Sequence, residues 1–166
     1  MKKKVKIILC NEEIFKKDFL PLIIDLWCGN KYIPSNRQHK NWLNQKIHAS
    51  FIDFGVALCA YTMENEPIGY IFYKHDTGIE GVSFSYENAN IIQIGLFKKF
   101  RNQGIGTKLL EKACEKIKDN KGKYLYTDTN SDNNINIFIF YIKRGFIPMG
   151  ENGINGNGQI YFYKNL

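Results

Sequence analysis

The fold can be argued from one short stretch, FRNQGIGTKLLEKACEKI, which occupies residues 100–117. An arginine and two glycines, Arg101, Gly104 and Gly106, lead directly into an amphipathic helix pattern, and the strand-like run NIIQIGLF precedes them at 90–97. Glycines let backbone amides approach a ligand closely, and amides at a helix N-terminus bind phosphate. We therefore predict a strand, an anion-binding turn and a helix.

Two well-known phosphate loops share part of this pattern but fail on spacing. The dinucleotide fingerprint GxGxxG requires a third glycine where this chain has Leu109. The ATP loop GxxxxGK[ST] requires lysine before threonine, whereas Thr107 precedes Lys108 here. The alternatives that stay open are another kind of anion cradle and a tight turn whose arginine is only solvated.

The composition is that of a globular protein with a basic surplus. The chain has 166 residues, of which 44% are hydrophobic, and a formal net charge of +7, so we expect one domain spanning residues 1–166. The surplus suits an anionic ligand, a nucleic acid or a membrane surface. Neither an interleaved basic and aromatic motif nor a bilayer-spanning apolar stretch is present in the sequence, so no nucleic-acid partner and no membrane partner are expected.

The cysteines and histidines indicate a compartment and not a metal site. The four cysteines are far apart and form no CxxC, and the three histidines are scattered, so no metal-ligand spacing is present. Reduced, widely spaced cysteines are typical of a reducing environment. We therefore expect a cytoplasmic protein that binds no metal.

Hydrophobic periodicity predicts one mixed α/β or α+β domain. Strands are expected at 5–10, 55–62, 68–74, 90–97 and 123–129, and in two closing segments, GFIPM and QIYFYKN. The second and third strands should form a hairpin. Helices are expected at 14–27, in a segment that starts at 35, at 104–119 and from 133 or 134 to about 144. Asn11 and Ser35 are the predicted N-caps of the first two helices, Pro21 should kink or split the first, and Gly145 should cap the last.

A second motif supports a family resemblance. The pattern Arg-x-x-Gly-x-Gly after a strand resembles the acetyl-coenzyme A motif of the GCN5-related N-acetyltransferase (GNAT) family. The segment NINIFIFYIKRGF at 134–146 is similar to the second motif of that family, and the matching residues are Asn134, Phe140, Tyr141, Lys143, Gly145 and Phe146. A small residue is common in the family where this chain has Ile137, which is a minor departure. The two motifs have the order and separation of the family, and the resemblance covers nearly the whole chain.

The resemblance implies a fold and a co-substrate. It implies a central, mostly antiparallel twisted sheet of six to seven strands, flanked by about four helices, with a splayed parallel strand pair at its centre. It also implies acetyl transfer from acetyl-coenzyme A to a primary amine. The implied cofactor-binding residues are Leu96, Phe97, Lys98, Arg101, Asn102, Gln103, Gly104, Ile105, Gly106, Thr107, Asn134 and Lys143.

Within that set, the resemblance implies separate roles for the turn and the strand. The pyrophosphate would lie on the backbone amides of residues 103–107, and the pantetheine arm would pair with backbone groups of residues 96–98 like an added strand. An amide near Leu96 would hold the developing oxyanion. Asn134 would either contact the pantetheine or cap its helix, and Lys143 would either meet a phosphate or be solvated.

The sequence indicates the catalytic acid more clearly than the catalytic base. Tyr141 matches the tyrosine acid of the family, and the alternative is a helix tyrosine that packs with Phe138 and Phe140. In histone-type members a glutamate base lies eleven positions before the motif arginine, where this chain has Asn90. Asn90 cannot act as a base, so Glu87 or a chain of waters would have to take the proton.

Several functions remain open from the sequence. An enzyme acting on a small amine is the leading hypothesis, with a protein N-terminus or lysine as other acceptors. A sensor that binds acyl-coenzyme A without turnover is a second hypothesis, and nucleic-acid binding, motivated by the charge, is a third. The resemblance also leaves open a homodimer through the final strands.

Overall fold

The computed structural model describes residues 4–27, 33, 35–52, 55–75, 87–130, 135–152 and 159–166. Within these ranges the chain forms seven strands and four helices in mixed order. The strands are β1 (Lys6–Cys10), β2 (Gly55–Tyr61), β3 (Pro67–His75), β4 (Asn88–Leu96), β5 (Tyr124–Asn130), β6 (Ile147–Asn152) and β7 (Gln159–Asn165). The helices are α1 (Glu12–Trp27), α2 (Arg37–Ile52), α3 (Ile105–Asp119) and α4 (Ile135–Ile142).

The strands hydrogen-bond in the order β1-β2-β3-β4-β5-β7-β6. The pairs β1/β2, β2/β3, β5/β7 and β6/β7 are antiparallel, and β4/β5 is parallel. The expected mixed class is confirmed, with a mostly antiparallel seven-stranded sheet, a parallel pair and four helices among the described residues. The predicted hairpin is confirmed as β2 and β3.

The parallel ladder between β4 and β5 is short. Its three residue pairs run from Asn88 opposite Tyr124 to Asn90 opposite Tyr126. Both strands continue beyond this ladder, to Leu96 and Asn130. On its other side β5 stays paired with β7 over its full length. An early end to a parallel ladder is what the implied splayed strand pair requires.

Residue contacts divide the chain into two compact units. The first unit comprises Met1–Lys74 with Gln93–Ala113, and the second comprises His75–Ile92 with Cys114–Leu166. Both β4 and α3 therefore contribute residues to each unit. The expectation of one domain over residues 1–166 stays a prediction.

The first unit has an aromatic core between its helices and β1 to β3. Phe15 and Phe19 of α1 are fully buried, and their rings lie 4.8 Å and 5.7 Å from the ring of Tyr70 on β3. Burying one such side chain contributes about 1.5–3 kcal/mol to stability. The Tyr61 hydroxyl donates a hydrogen bond to Asp18 Oδ2 at 2.8 Å, which further ties α1 to β2.

The sequence predictions for the first two helices are confirmed in part. The Asn11 cap is confirmed, because Asn11 Oδ1 accepts a hydrogen bond from the Ile14 N–H at 2.9 Å. Pro21 does not split α1, which runs unbroken from Glu12 to Trp27. The cap of α2 is Asn36 and not Ser35, since Asn36 Oδ1 accepts from the N–H of Gln38 at 2.9 Å. A side-chain amide one residue nearer the helix reaches the exposed N–H groups directly.

The second unit is built on β5, β6 and β7 with α4. Phe162 of β7 is fully buried and packs edge-on against Phe138 of α4, with 5.3 Å between ring centroids. After α4 ends at Ile142, Gly145 takes a φ of +80°, and its N–H donates to the Ile142 carbonyl at 3.0 Å. The left-handed conformation favours glycine, which confirms Gly145 as the terminating residue.

Candidate active site

The predicted anion-binding turn lies between β4 and α3, entirely in the first unit. A single 3-10 turn at Lys98–Phe100 follows β4, and α3 begins at Ile105. Gly104 directly precedes the helix with a φ of +78°, a conformation that L side chains rarely adopt. A Cβ placed on Gly104 would meet no atom of the protein within 4 Å. The turn therefore leaves open space directly in front of the helix N-terminus.

Side chains of the turn hold its backbone in place. The Arg101 Nε donates a hydrogen bond to the Leu96 carbonyl at 3.0 Å, and the Gln103 Nε2 donates to the Lys99 carbonyl at 2.9 Å. Both side chains lie in an exposed stretch, 101–104. The guanidinium of Arg101 is thus anchored on the last residue of β4 through a single nitrogen, beside the open space at Gly104.

The electrostatics of the turn suit a phosphate. Ile105 and Gly106 open α3, and the Lys108 N–H closes the first turn on the Gly104 carbonyl at 3.2 Å. The N-terminus of a helix carries about half a positive charge, and amides there bind anions. Exposed cationic side chains flank the turn at Lys98 and Arg101. The residues present therefore fit a phosphate-bearing group such as the pyrophosphate of coenzyme A.

The backbone groups expected to pair with the pantetheine arm are partly engaged in the structure. The Phe97 N–H donates to the Ile68 carbonyl at 2.9 Å, and the Phe97 carbonyl accepts from the Phe100 N–H at 2.9 Å. The Lys98 carbonyl accepts from the Arg101 N–H at 3.2 Å. The role of residues 96–98 in binding the pantetheine arm stays a prediction. Because these backbone groups of Phe97 and Lys98 are already hydrogen-bonded, we expect the arm to pair with the end of β4 itself.

Tyr141 lies in the second unit, on α4, and is 4% exposed. Its ring packs against Phe146 and Phe162, at centroid distances of 5.1 Å and 5.6 Å. Its hydroxyl lies 3.3 Å from Thr127 Oγ1. Burial raises the pKa of the phenol, while the hydrogen bond from Thr127 acts in the opposite direction. The phenol is therefore protonated at neutral pH, as a proton donor must be, and its ring also serves the core.

The end of the parallel ladder lies within the same unit as Tyr141. Just past the last pair, the Ile91 carbonyl lies 3.5 Å from Thr127 Oγ1, so a side chain of β5 meets β4 there. The side-chain oxygen of Asn90 is buried and has no hydrogen-bond partner among the described residues. Leaving such an atom unpaired costs about 1–3 kcal/mol. The histone-type base position is thus occupied by an amide whose buried oxygen has no partner among the described residues.

Glu87, the predicted alternative base, lies at the other end of this ladder. Its carboxylate pairs with the Lys123 ammonium at 2.6 Å, which raises the pKa of that lysine. Its carbonyl accepts hydrogen bonds from the N–H groups of Lys123 and Tyr124, at 2.6 Å and 3.1 Å. These contacts clamp the start of β4 onto the start of β5. They favour a structural role for Glu87, whose catalytic role stays a prediction.

Asp128 is a candidate that the sequence reasoning missed. It follows Thr127 on β5, and desolvation raises the pKa of its carboxyl although the residue as a whole is exposed. Its charge also acts on Tyr141, whose pKa it helps to raise. Acidic residues are depleted in strands, so an aspartate inside the run KYLYTDT was a readable signal.

Two further predicted residues carry less information. Asn134 lies outside the described residues. Lys143 is exposed just after α4, and its backbone N–H donates to the Ile139 carbonyl at 3.0 Å. The contacts with the cofactor expected of both residues stay predictions.

The glycine turn of the first sequence motif thus precedes α3, and Tyr141 of the second motif is buried on α4. The sequence profile of the acetyltransferase (GNAT) family matches residues 20–146. The chain therefore belongs to this family of acetyl-coenzyme A-dependent N-acetyltransferases. The predicted family, enzyme class and co-substrate are confirmed.

Individual proteins agree with this assignment. An uncharacterized N-acetyltransferase of Schizosaccharomyces pombe is 27% identical over 121 residues, which cover 69% of this chain and 83% of that protein. The PaiA N-acetyltransferase of Thermoplasma acidophilum, solved with coenzyme A, is 18% identical with a TM-score of 0.70 over 98% of this chain and 99% of its own. An aminoglycoside 6'-acetyltransferase type Ii is 16% identical with a TM-score of 0.72 over 96% of each chain. At these identities the two structures show a shared fold.

Among the described residues, no helix is long and apolar enough to cross a membrane.

Proposed function

We propose that this protein transfers the acetyl group of acetyl-coenzyme A directly to the primary amine of a small molecule. The observation that carries the proposal is the turn at Gly104, where a positive φ and open space coincide with the N-terminus of α3. Open space at this helix N-terminus, with Arg101 three residues before Gly104 in the chain, would admit a phosphate group. In this proposal the turn at Gly104 binds the acetyl carrier, and the rest of the mechanism consists of proton transfers.

On the cofactor side, the first unit supplies binding and orientation. The backbone amides at the start of α3 hold the pyrophosphate, and Arg101 adds a guanidinium contact to a phosphate oxygen. The end of β4 offers backbone groups to the extended pantetheine arm, as in the addition of a strand to a sheet. An amide near Leu96 stabilises the negative charge that develops on the thioester oxygen.

On the chemical side, two proton transfers accompany the exchange of bonds. A neutral amine forms the new C–N bond, the C–S bond breaks, and the extra proton on nitrogen must leave. Tyr141 donates its proton to the departing thiolate and is later protonated again from solvent. Burial keeps this phenol protonated until that step.

The proton of the amine needs a separate acceptor. We assign it to a chain of waters that ends on the Asp128 carboxylate. The raised pKa of Asp128 makes it a better proton acceptor than an ordinary surface aspartate. Glu87 is less suited to the role, because its carboxylate is paired with Lys123.

The acceptor class rests on the relatives. The aminoglycoside 6'-acetyltransferase that shares this fold acts, by its name, on a small amine. By analogy of fold we assign a small-molecule amine to this chain, and acetylation of protein N-termini or lysines is the alternative outcome.

The test is thiol release from acetyl-coenzyme A with a panel of small amines and lysine-bearing peptides, beside calorimetry of cofactor binding. Turnover with a small amine and not with peptides supports the proposal. Turnover with peptides alone overturns the acceptor class. Binding without turnover across the panel would support a sensor instead of an enzyme.

A further inference from the structure

Thr127 is unusual in its surroundings. Apart from tyrosines and cysteines, it is the one buried polar side chain in the described part of the chain, and it is 3% exposed. It lies on β5 just past the ladder with β4, next to the candidate acid on α4. A buried hydroxyl costs free energy unless it is hydrogen-bonded, so its partners indicate what it does.

The Thr127 hydroxyl has two acceptors within reach and one hydrogen. Its Oγ1 lies 3.3 Å from Tyr141 Oη and 3.5 Å from the Ile91 carbonyl oxygen. The carbonyl can only accept. The phenol can accept this hydrogen and still donate its own to a third group. Donation from Thr127 to Tyr141 therefore leaves the phenolic proton directed away from Thr127.

We propose that Thr127 is a positioning residue for acetyl transfer, acting through Tyr141. Its hydroxyl donates to Tyr141 Oη, aims the phenolic proton at the departing sulfur, and stabilises the phenolate that forms when this proton leaves. The inference rests on the proposed role of Tyr141 as the acid. The proton that moves is that of Tyr141, and Thr127 keeps its own hydrogen throughout.

The Ile91 carbonyl is a second possible acceptor for the hydrogen of the Thr127 hydroxyl. While Tyr141 is neutral, the amide carbonyl of Ile91 competes with the phenol oxygen for the hydrogen of Thr127. Once Tyr141 carries negative charge it becomes the much stronger acceptor, because hydrogen bonds to charged groups are roughly twice as strong as neutral ones. The hydrogen bond therefore strengthens as the proton leaves, which is what transition-state stabilisation requires.

The test uses two matched substitutions at Thr127 and a double-mutant cycle with Tyr141. Thr127→Val keeps the shape and removes the hydroxyl, while Thr127→Ser keeps the hydroxyl and removes a methyl group. We expect Thr127→Val to lower kcat about tenfold with KM for acetyl-coenzyme A unchanged, since it removes one hydrogen bond to a charged group. Thr127→Ser should stay within about twofold of wild type, and in a Tyr141→Phe background Thr127→Val should change nothing further.

A second readout needs no turnover. In protein carrying 13C at the tyrosine ζ carbon, the Tyr141 signal is the one that disappears in Tyr141→Phe. Its titration should move to higher pH in Thr127→Val and stay in place in Thr127→Ser, because the donated hydrogen bond stabilises the phenolate. Thermal melting of each variant checks that the fold is kept.

The outcomes separate this inference from the proposed function. If wild type turns over amines but Thr127→Val has normal kcat, or costs the same factor with and without Tyr141, Thr127 is only packing and the inference is overturned. The same holds if Thr127→Ser behaves like Thr127→Val. If wild type turns over no amine, the proposed function fails and this inference fails with it.

Discussion

The candidate functional groups of the two units differ in how the chain holds them. The cradle of the first unit is exposed, is made largely of backbone, and lies within residues 96–108 of the chain. In the second unit, Tyr141 and its contacts Thr127, Ile91 and Phe162 (below, the Tyr141 pocket) are buried, consist mainly of side chains, and come from β4, β5, α4 and β7. In the proposed mechanism, anion binding would therefore depend on local conformation, and proton donation would depend on tertiary packing.

This difference predicts which measurable property a substitution in each region should change. A change in the cradle should abolish cofactor affinity while the fold persists. A change in the pocket should alter the rate or the stability while cofactor affinity persists. Glycines and tyrosines present in both units provide matched pairs for the comparison.

The largest effect is expected at Gly104. Gly104→Val should weaken acetyl-coenzyme A binding by at least about a hundredfold, because a β-branched side chain enters the space left for phosphate and left-handed backbone costs it roughly 1–2 kcal/mol. Calorimetry measures the affinity. Gly145→Val, at the other glycine with a positive φ among the described residues, should lose similar stability and keep its affinity for the cofactor. Equal affinity in wild type and Gly104→Val would remove the cradle from the site.

Tyr141→Phe should lower kcat about a hundredfold, the usual contribution of a general acid. Binding of acetyl-coenzyme A should be unchanged, because the cradle is built from other residues. Steady-state kinetics and calorimetry on the same preparation check both statements. A normal kcat in the variant would leave Tyr141 as a core residue only.

Substitutions at two acidic residues of the second unit, Asp128 and Glu87, distinguish a catalytic base from a structural ion pair. If Asp128 accepts the proton, kcat/KM should fall on acidification at a pH above the ordinary aspartate pKa of about 3.9, because a raised pKa means protonation at higher pH. Asp128→Asn should remove this limb and lower the plateau roughly tenfold. Glu87→Gln, which breaks the pair with Lys123, should leave the profile unchanged. The reverse pattern would make Glu87 the base.

The smallest effect is expected in alkaline stability. Burial raises the pKa of Tyr73 on β3 to about 12, so this tyrosine stays neutral in the fold while unfolded tyrosines ionise near pH 10. Its contribution to stability is complete below about pH 10 and is lost as pH rises toward 12. Tyr73→Phe should flatten this fall in thermal melting curves and leave kcat unchanged. A Tyr73→Phe curve as steep as wild type would contradict the linkage.

The sequence predicts the shape of the glycine turn well because the turn is local. The helix expected from residue 104 begins at Ile105, and Gly145 ends α4 as predicted. The predicted N-cap of α2 was one residue too early in the sequence. Ser35 and Asn36 are both good N-cap residues, and only the direction in which the chain enters the helix decides between them.

The pocket was predictable only in part. Tyr141 could be named from a motif, but its partner Thr127 lies 14 residues earlier, and β5 brings the two together only in the folded chain. The pairing of Glu87 with Lys123 depends on the register of a parallel ladder, which no local pattern specifies. Desolvation of Asp128 likewise arises from tertiary packing alone.

The most direct measurement is thiol release from acetyl-coenzyme A with small amines, using wild type, Gly104→Val and Tyr141→Phe side by side with calorimetry. We predict turnover in wild type, loss of binding in Gly104→Val, and binding without comparable turnover in Tyr141→Phe. Failure of wild type to bind acetyl-coenzyme A, or equal binding and turnover in all three proteins, would contradict the division of the site between an anion cradle and a proton donor.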